Sequence, residues 1–230
     1  MIGLVIAAQL ILGVAPINQP CQTDRRPVCA ALMAQAFKRV DPVTGNAVRV
    51  IRGVAYDAIA IDVVTFPERQ ALIVQFNARD SAAHVEPGRF SAYYFPTALA
   101  PVTSGSPVEI VRDFLQTGSS GNGGAAAMTK LDDGSAALLV DAGGTWAGDT
   151  CSWVSLYAID PDKPRELLFG ELSFADTARL KIAARLVGPI SRRALTFAYR
   201  RADANSETIV RFAAHAGALA RVAGPHFQAC

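Results

Sequence analysis

Serines, three histidines, four cysteines and a concentration of arginines are the residues of this 230-residue chain whose types and spacing could do chemistry. A serine hydrolase needs its nucleophile on a strained turn with a histidine base and an acid converging on it. Gly118-Ser119-Ser120-Gly121-Asn122 misses the elbow pattern by one residue, and His84, His215 and His226 carry no local signature. No catalytic residue is therefore assigned, and a hydrolase whose His-based site is assembled from distant residues stands as an alternative. The glycine-rich run Gln116 to Ala127 contains neither the dinucleotide fingerprint nor the P-loop pattern, and no Lys-Ser or Lys-Thr follows it. No two cysteines lie two to four residues apart, so zinc spacing is absent. Asp132-Asp133 reads as a turn before Gly134. No cofactor and no metal are assigned.

Charge is the most informative pattern. From Asp132 to Asp176 there are nine acids and two bases, and from Arg179 to Arg221 nine bases and two acids, so a net of −7 reverses to +7 at one turn. The whole chain carries only +2, too little to imply a nucleic-acid partner. On a strand Ala178 to Val187, the period of two sets Leu180, Ile182, Ala184 and Leu186 on one face and Arg179, Lys181 and Arg185 on the other. A partner strand, Ala194 to Arg200, buries Leu195, Phe197 and Tyr199 and turns Thr196, Ala198 and Arg200 outward, and the turn between them adds Arg192 and Arg193. Paired as a hairpin, the two strands predict a cationic sheet face. Arg179, Lys181, Arg185, Arg192, Arg193 and Arg200 are the candidate anion-binding residues, because arginine's planar fork suits carboxylate and phosphate. The partner expected is an anionic envelope polymer, a lipid headgroup or an acidic protein. The competing expectation is that the acidic segment neutralises this face through cross-strand pairs of about 0.2–1 kcal/mol each.

The compartment follows from the N-terminus and the cysteines. Ile2 to Val14 is an apolar run interrupted only by Gln9, too short to span a bilayer of about 30 Å but suited to an export signal over residues 1–20. It lacks a preceding Lys or Arg, so membrane contact is expected only through an uncleaved N-terminal segment. Cys21, Cys29, Cys151 and Cys230 form an even set, and in an exported chain they read as disulfides. Of three pairings the preferred one is Cys21 with Cys29 and Cys151 with Cys230. The apolar N-terminus and the even cysteine set together point to a periplasmic or secreted protein.

The elements that must position these residues are mostly strands. Val28 to Val40 is the one convincing helix, with Lys38 and Arg39 in its last turn and Asp41-Pro42 stopping it. Twelve runs rich in Val, Ile, Leu and Phe follow, among them Ala47 to Val54, Ala58 to Phe66, Arg89 to Phe95 and Ala218 to Val222, separated by turn signals such as Val43-Thr44-Gly45-Asn46. The fold class is mainly β: an antiparallel β-sandwich, barrel or propeller-like set of sheets with one short N-terminal α-helix. Residues 21–115 form the helix and a first β half, 116–127 a Gly/Ser-rich loop or linker, and 128–230 a second β half, as one domain or two.

Leu131 to Val140, then the Gly-rich stretch around Cys151, then Val154-Ser155-Leu156-Tyr157, resembles one blade of the FG-GAP type of β-propeller over about 30 residues. The calcium-binding version of that loop alternates acidic ligands, whereas only the adjacent Asp132 and Asp133 are found here, so the resemblance carries no metal ligands over. Within the same stretch, GGTWAGDTCSW reads as a loop stapled through Cys151, with Trp146 in mid-loop as a candidate surface aromatic. Phe90, Tyr93, Tyr94 and Phe95 alternate faces, one pair for the core and the other for a sugar or apolar pocket. The function expected is that of an exported cell-envelope binding or interaction module rather than an enzyme, with the hydrolase and a structural β domain without a ligand as alternatives.

Overall fold

The computed structural model describes Cys21 and residues 26–80, 86–97, 107, 109–146, 149–169, 182–201 and 205–224, with the side chains of 26, 145–152, 182–185 and 199–201 outside the description. The protein is mainly β, with antiparallel sheets and one short helix. Helix α1 (Arg26–Ala36) is followed by β1 (Ala47–Ile51), β2 (Val54–Thr65), β3 (Arg69–Ala78), β4 (Gly88–Pro96) and β5 (Glu109–Thr117), which form one sheet in sequence order. A second sheet holds β6 (Ala125–Lys130), β7 (Ala136–Trp146), β8 (Asp149–Ile159) and β9 (Pro164–Leu168), and a third β10 (Ile182–Leu186), β11 (Ala194–Arg201), β12 (Thr208–His215) and β13 (Ala218–Ala223). The chain divides into two compact units. One runs to Gly124 and takes in Ile159–Pro164; the other comprises Ala125–Ala158 and the described residues from Arg165 onward.

In the first unit, Cys29, Leu32, Met33 and Ala36 recur at helical spacing and put one apolar stripe of α1 on the sheet, against Tyr56, Ala58, Leu72, Val74, Phe76, Tyr93 and Phe95. The helix starts two residues earlier than the sequence suggests, with Pro27 in its first turn, where a missing N–H costs nothing. It ends at Ala36 rather than Val40. Phe37 packs on Phe76 and Tyr93, and Val40 forms a bridge with Ala47, so the chain has already left the helix at Lys38 and Arg39. The expected strand Ala47 to Val54 is split by Arg52-Gly53. Both residues have positive φ and close a two-residue hairpin between Ile51 and Val54. Register breaks between Ala60 and Asp62 and between Phe90 and Ala92 accompany the curl of the sheet into a half-barrel.

In the second unit, alternate residues of two four-stranded meanders meet over one core. Leu139, Leu156 and Leu167 come from one sheet, and Leu195, Phe197, Val210, Phe212 and Leu219 from the other. Phe197 and Phe212 stand edge to face at 6.1 Å, each fully buried and stabilising the unit by roughly 1.5–3 kcal/mol. Strand β6, Ala125–Lys130, is unforeseen by the sequence reading, which leaves it partly in the glycine-rich loop; its Ala-rich sequence has little β-propensity, and pairing with β7 makes it a strand. GGTWAGDTCSW is not a free loop. Strands β7 and β8 stay paired through Gly143 with Ser152 and Gly144 with Cys151 as far as Trp146 with Asp149.

Candidate functional site

The basic hairpin forms in the register that the two-residue period requires. On neighbouring strands, Arg185 pairs with Ala198 and Ala183 with Arg200, and Thr196 pairs with Arg211 on β12. Arg185, Arg200 and Arg211 therefore share the parity of Ala198, within two residues of it along the strands. Adjacent strands lie about 4.8 Å apart and same-face neighbours on one strand about 7 Å apart, so these backbone positions form a compact group. Arg193 and Arg211 are exposed. Ala198, expected to face outward, is buried, and its register partners are Arg185 and Ile209. Arg179 and Lys181 lie outside the described residues.

Arg192 takes the other course. Its Nε donates to Asp133 at 3.1 Å and its Nη2 to the Ser135 hydroxyl at 3.2 Å, across 59 and 57 residues of sequence. Ser135 also donates to the Asp133 carboxylate through its backbone N–H and its hydroxyl. These hydrogen bonds, those from Ser135 first and Arg192 after, hold the Asp133 carboxyl below its ordinary range. The backbone seals the junction, with Asp132 N–H donating to the Ile190 carbonyl at 2.8 Å. Here the acidic and basic segments do meet.

The first unit holds a second polar constellation that the sequence reading missed. Arg89 is buried on β4, on the same face as Tyr93 and Phe95. It donates through Nη2 to Glu86 at 3.1 Å, and through Nη1 to Gln116 at 3.1 Å and Asp113 at 3.4 Å. Its Nε is buried without a partner, and its guanidinium lies over the Tyr56 ring at 5.8 Å. Tyr56 in turn donates its hydroxyl to Glu86, and this bond, followed by Arg89, keeps the Glu86 carboxyl below its ordinary range. Arg49 joins from β1, 3.5 Å from Asp113 and stacked on Phe76. Asp113 sits in the register break of β5, where residues 112–114 stand against Ser91 alone. Its φ of 50° is rare for a residue inside a strand, and its N–H donates to the Ser91 hydroxyl at 3.0 Å. The visible signals were an arginine beside the apolar run Phe90 to Phe95 and an aspartate within Glu109 to Leu115. Chemically the cluster is balanced, two guanidinium groups against two carboxylates, and it locks β1, β2, β4 and β5 together.

The remaining sequence candidates fall as follows. His215 is exposed where β12 turns into β13, and His84 and His226 lie outside the described residues. Phe90, Tyr93, Tyr94 and Phe95 are all buried, so neither pair lines an open pocket. Burial, with Asp162 and Glu109 nearby, raises the Tyr94 phenol well above its ordinary value, and the hydroxyl donates to the Asp160 carbonyl at 2.9 Å. Cys21 and Cys29 are bonded, with their Cα atoms 5.5 Å apart. The Cys151 side chain and Cys230 are outside the described residues. Trp146, expected in mid-loop, is the last residue of β7, and its side chain is outside the description. The glycine-rich segment is tied in place: Gly121 N–H donates to the Glu86 carbonyl, Gly123 N–H to Asn77 Oδ1, and Gln75 Nε2 to the Gly124 carbonyl.

Among the described residues no three His, Cys, Asp or Glu side chains come together in a metal-binding group, and no helix is long and apolar enough to cross a membrane. Comparison of the chain with protein-family models, with curated proteins and with solved structures finds no match.

Proposed function

We propose that the protein is an exported binding module of the cell envelope that engages an anionic partner through the arginine-bearing face of the β10–β13 sheet. The observation that carries the reading is the register: Arg185, Arg200 and Arg211 on three successive strands share one parity around Ala198, with Arg211 exposed. Arginine forks at such spacing suit a partner that repeats carboxylate or phosphate groups. The apolar run Ile2 to Val14 and the Cys21–Cys29 bond support an oxidising, exported address. The hydrolase alternative needs a histidine base, and the one histidine among the described residues is exposed at a hairpin turn. The test is retention on an anionic resin and on an envelope fraction at low and high salt. Arg185→Glu, Arg193→Glu and Arg211→Glu together should abolish retention at low salt and remove its salt dependence. Unchanged retention would overturn the reading.

A further inference from the structure

Independently of the arginine face, the first unit leaves one strand edge open. The first sheet runs from β1 to β5 in sequence order, so β1 and β5 are its two edges. Edges with unpaired N–H and C=O groups pair with other chains unless bulges or charges blunt them. Strand β5 is blunted: its register breaks at Asp113, and Glu109, Arg112 and Gln116 are exposed along it. Strand β1 has neither a bulge nor an outward charge. Its two-residue turn, Arg52-Gly53, makes Ile51 with Val54 and Arg49 with Tyr56 the hydrogen-bonded pairs. The N–H and C=O of Val50 and the C=O of Val48 therefore point away from β2, and among the described residues nothing bonds to them. Val40 bridges Ala47 at the start of the strand, which leaves the stretch from Val48 to Arg52 open. The Val48 and Val50 side chains are 44 % and 66 % exposed on the outer face. Arg49, between them, turns inward to Phe76 and Asp113 and holds the strand in place.

The ends of the open stretch select the charge of what pairs there. Lys38 and Arg39 precede Val40 at one end, and Arg52 stands at the other. All three are exposed, and none forms an ion pair among the described residues. The described acids beside them are engaged: Asp41 accepts the N–H groups of Val43 and Thr44, and Asp57, the register partner of Val48, is bonded to Arg79 at 2.7 Å. A second copy pairing antiparallel on this edge would set Arg52 of one chain towards Lys38 and Arg39 of the other, and like charges across strands repel. A strand with acids at its ends and apolar residues between them gains at both ends. We infer that the β1 edge is a docking site for an extended segment of a partner protein, apolar in alternate positions and flanked by acids, which adds to the first sheet along Val48 to Arg52.

The test uses the full chain and a short peptide, acetylated and amidated, that alternates valine and threonine between a terminal glutamate and a terminal aspartate. Titration followed by backbone amide NMR should show saturable binding, with the largest shifts at residues 48–52. The same peptide N-methylated throughout its central residues cannot donate to a strand edge and should bind at least tenfold more weakly, as should a version with lysine at both ends. Val50→Pro removes the edge donor without touching a β1–β2 bond and should weaken the acid-ended peptide at least tenfold. Arg52→Asn keeps the positive-φ turn, which asparagine favours, and should weaken it several-fold. Circular dichroism checks the fold of each variant, and the N-methylated peptide on the wild type decides if Val50→Pro fails to fold. Absence of saturable binding by the wild type, equal binding of the N-methylated or lysine-ended peptide, undiminished binding by folded Val50→Pro, or a concentration-dependent dimer that Val50→Pro abolishes would each overturn the inference.

Discussion

Replacing Arg89 by Met tests whether the charged cluster on the first sheet is a structural lock. The substitution keeps the apolar stem and volume but removes the donors to Glu86, Gln116 and Asp113, and leaves two carboxylates without their central cation. Breaking a fully buried ion pair from one side costs about 3–5 kcal/mol. Here the acids retain some contact with water, their side chains being 27 % and 20 % exposed, and Asp113 keeps Arg49, so the loss falls to about 2–3 kcal/mol. The pH dependence supplies the signature. The Glu86 carboxyl is depressed in the folded wild type, by Tyr56 first and by Arg89 as well. A depressed acid contributes stability that is present above its ordinary value and is lost as pH falls through the folded value. Without Arg89 this contribution shrinks, so the gap between variant and wild type should be widest near pH 7 and narrow towards pH 3. Urea unfolding followed by tyrosine and tryptophan fluorescence across that range measures it. A gap below about 1 kcal/mol at pH 7, or one that does not change with pH, would refute the reasoning.

Two further outcomes follow from local geometry. Asp141, on the core side of β7, has its carboxyl raised by burial to about 6, so its stabilising contribution is complete in acid and is lost as pH rises through 6. Asp141→Asn should gain about 1–2 kcal/mol at pH 8 and nothing near pH 3.5, read as a flattened dependence of the unfolding midpoint on pH. At Gly88 an added Cβ would stand 2.0 Å from the Gly123 nitrogen, so Gly88→Ala should cost about 1–3 kcal/mol and lower the Tm by several degrees in calorimetry.

Strands β11 and β12 of the second unit were legible because each buries one face. Leu195 and Phe197 alternate with Thr196, and Val210 and Phe212 with Arg211, which is the period of two written directly in side chains. The β10–β11 pairing followed from that alternation and the short polar turn between them. What was hidden depends on contacts distant in sequence or on backbone signs that residue types do not announce. Arg52 adopts positive φ beside Gly53 in the hairpin that splits the first predicted strand, and nothing about an arginine foretells it. Phe90 to Phe95 is buried on both faces, so its apolar run carries no alternation to interpret. The Arg89 cluster exists because a register break brings Asp113 opposite Ser91, and the Arg192–Asp133 pair because the turn before Ser135 docks on Ile190. Neither spacing, 24 residues or 59, is a pattern.

The arginine face is tested most directly by separating local charge from total charge. Arg185→Glu, Arg200→Glu and Arg211→Glu can be set against Lys38→Glu, Arg39→Glu and Lys130→Glu, which change the net charge equally at exposed positions elsewhere. Three ion pairs to the partner at about 0.5–1 kcal/mol each correspond to a roughly tenfold to hundredfold loss of affinity. Titration of vesicles containing phosphatidylglycerol and of a soluble polycarboxylate, at low ionic strength, should show that loss for at least one probe in the sheet variant, while the control set stays within about threefold of the wild type. Equal losses in the two sets, or none in either, would contradict an anion-binding face on this sheet.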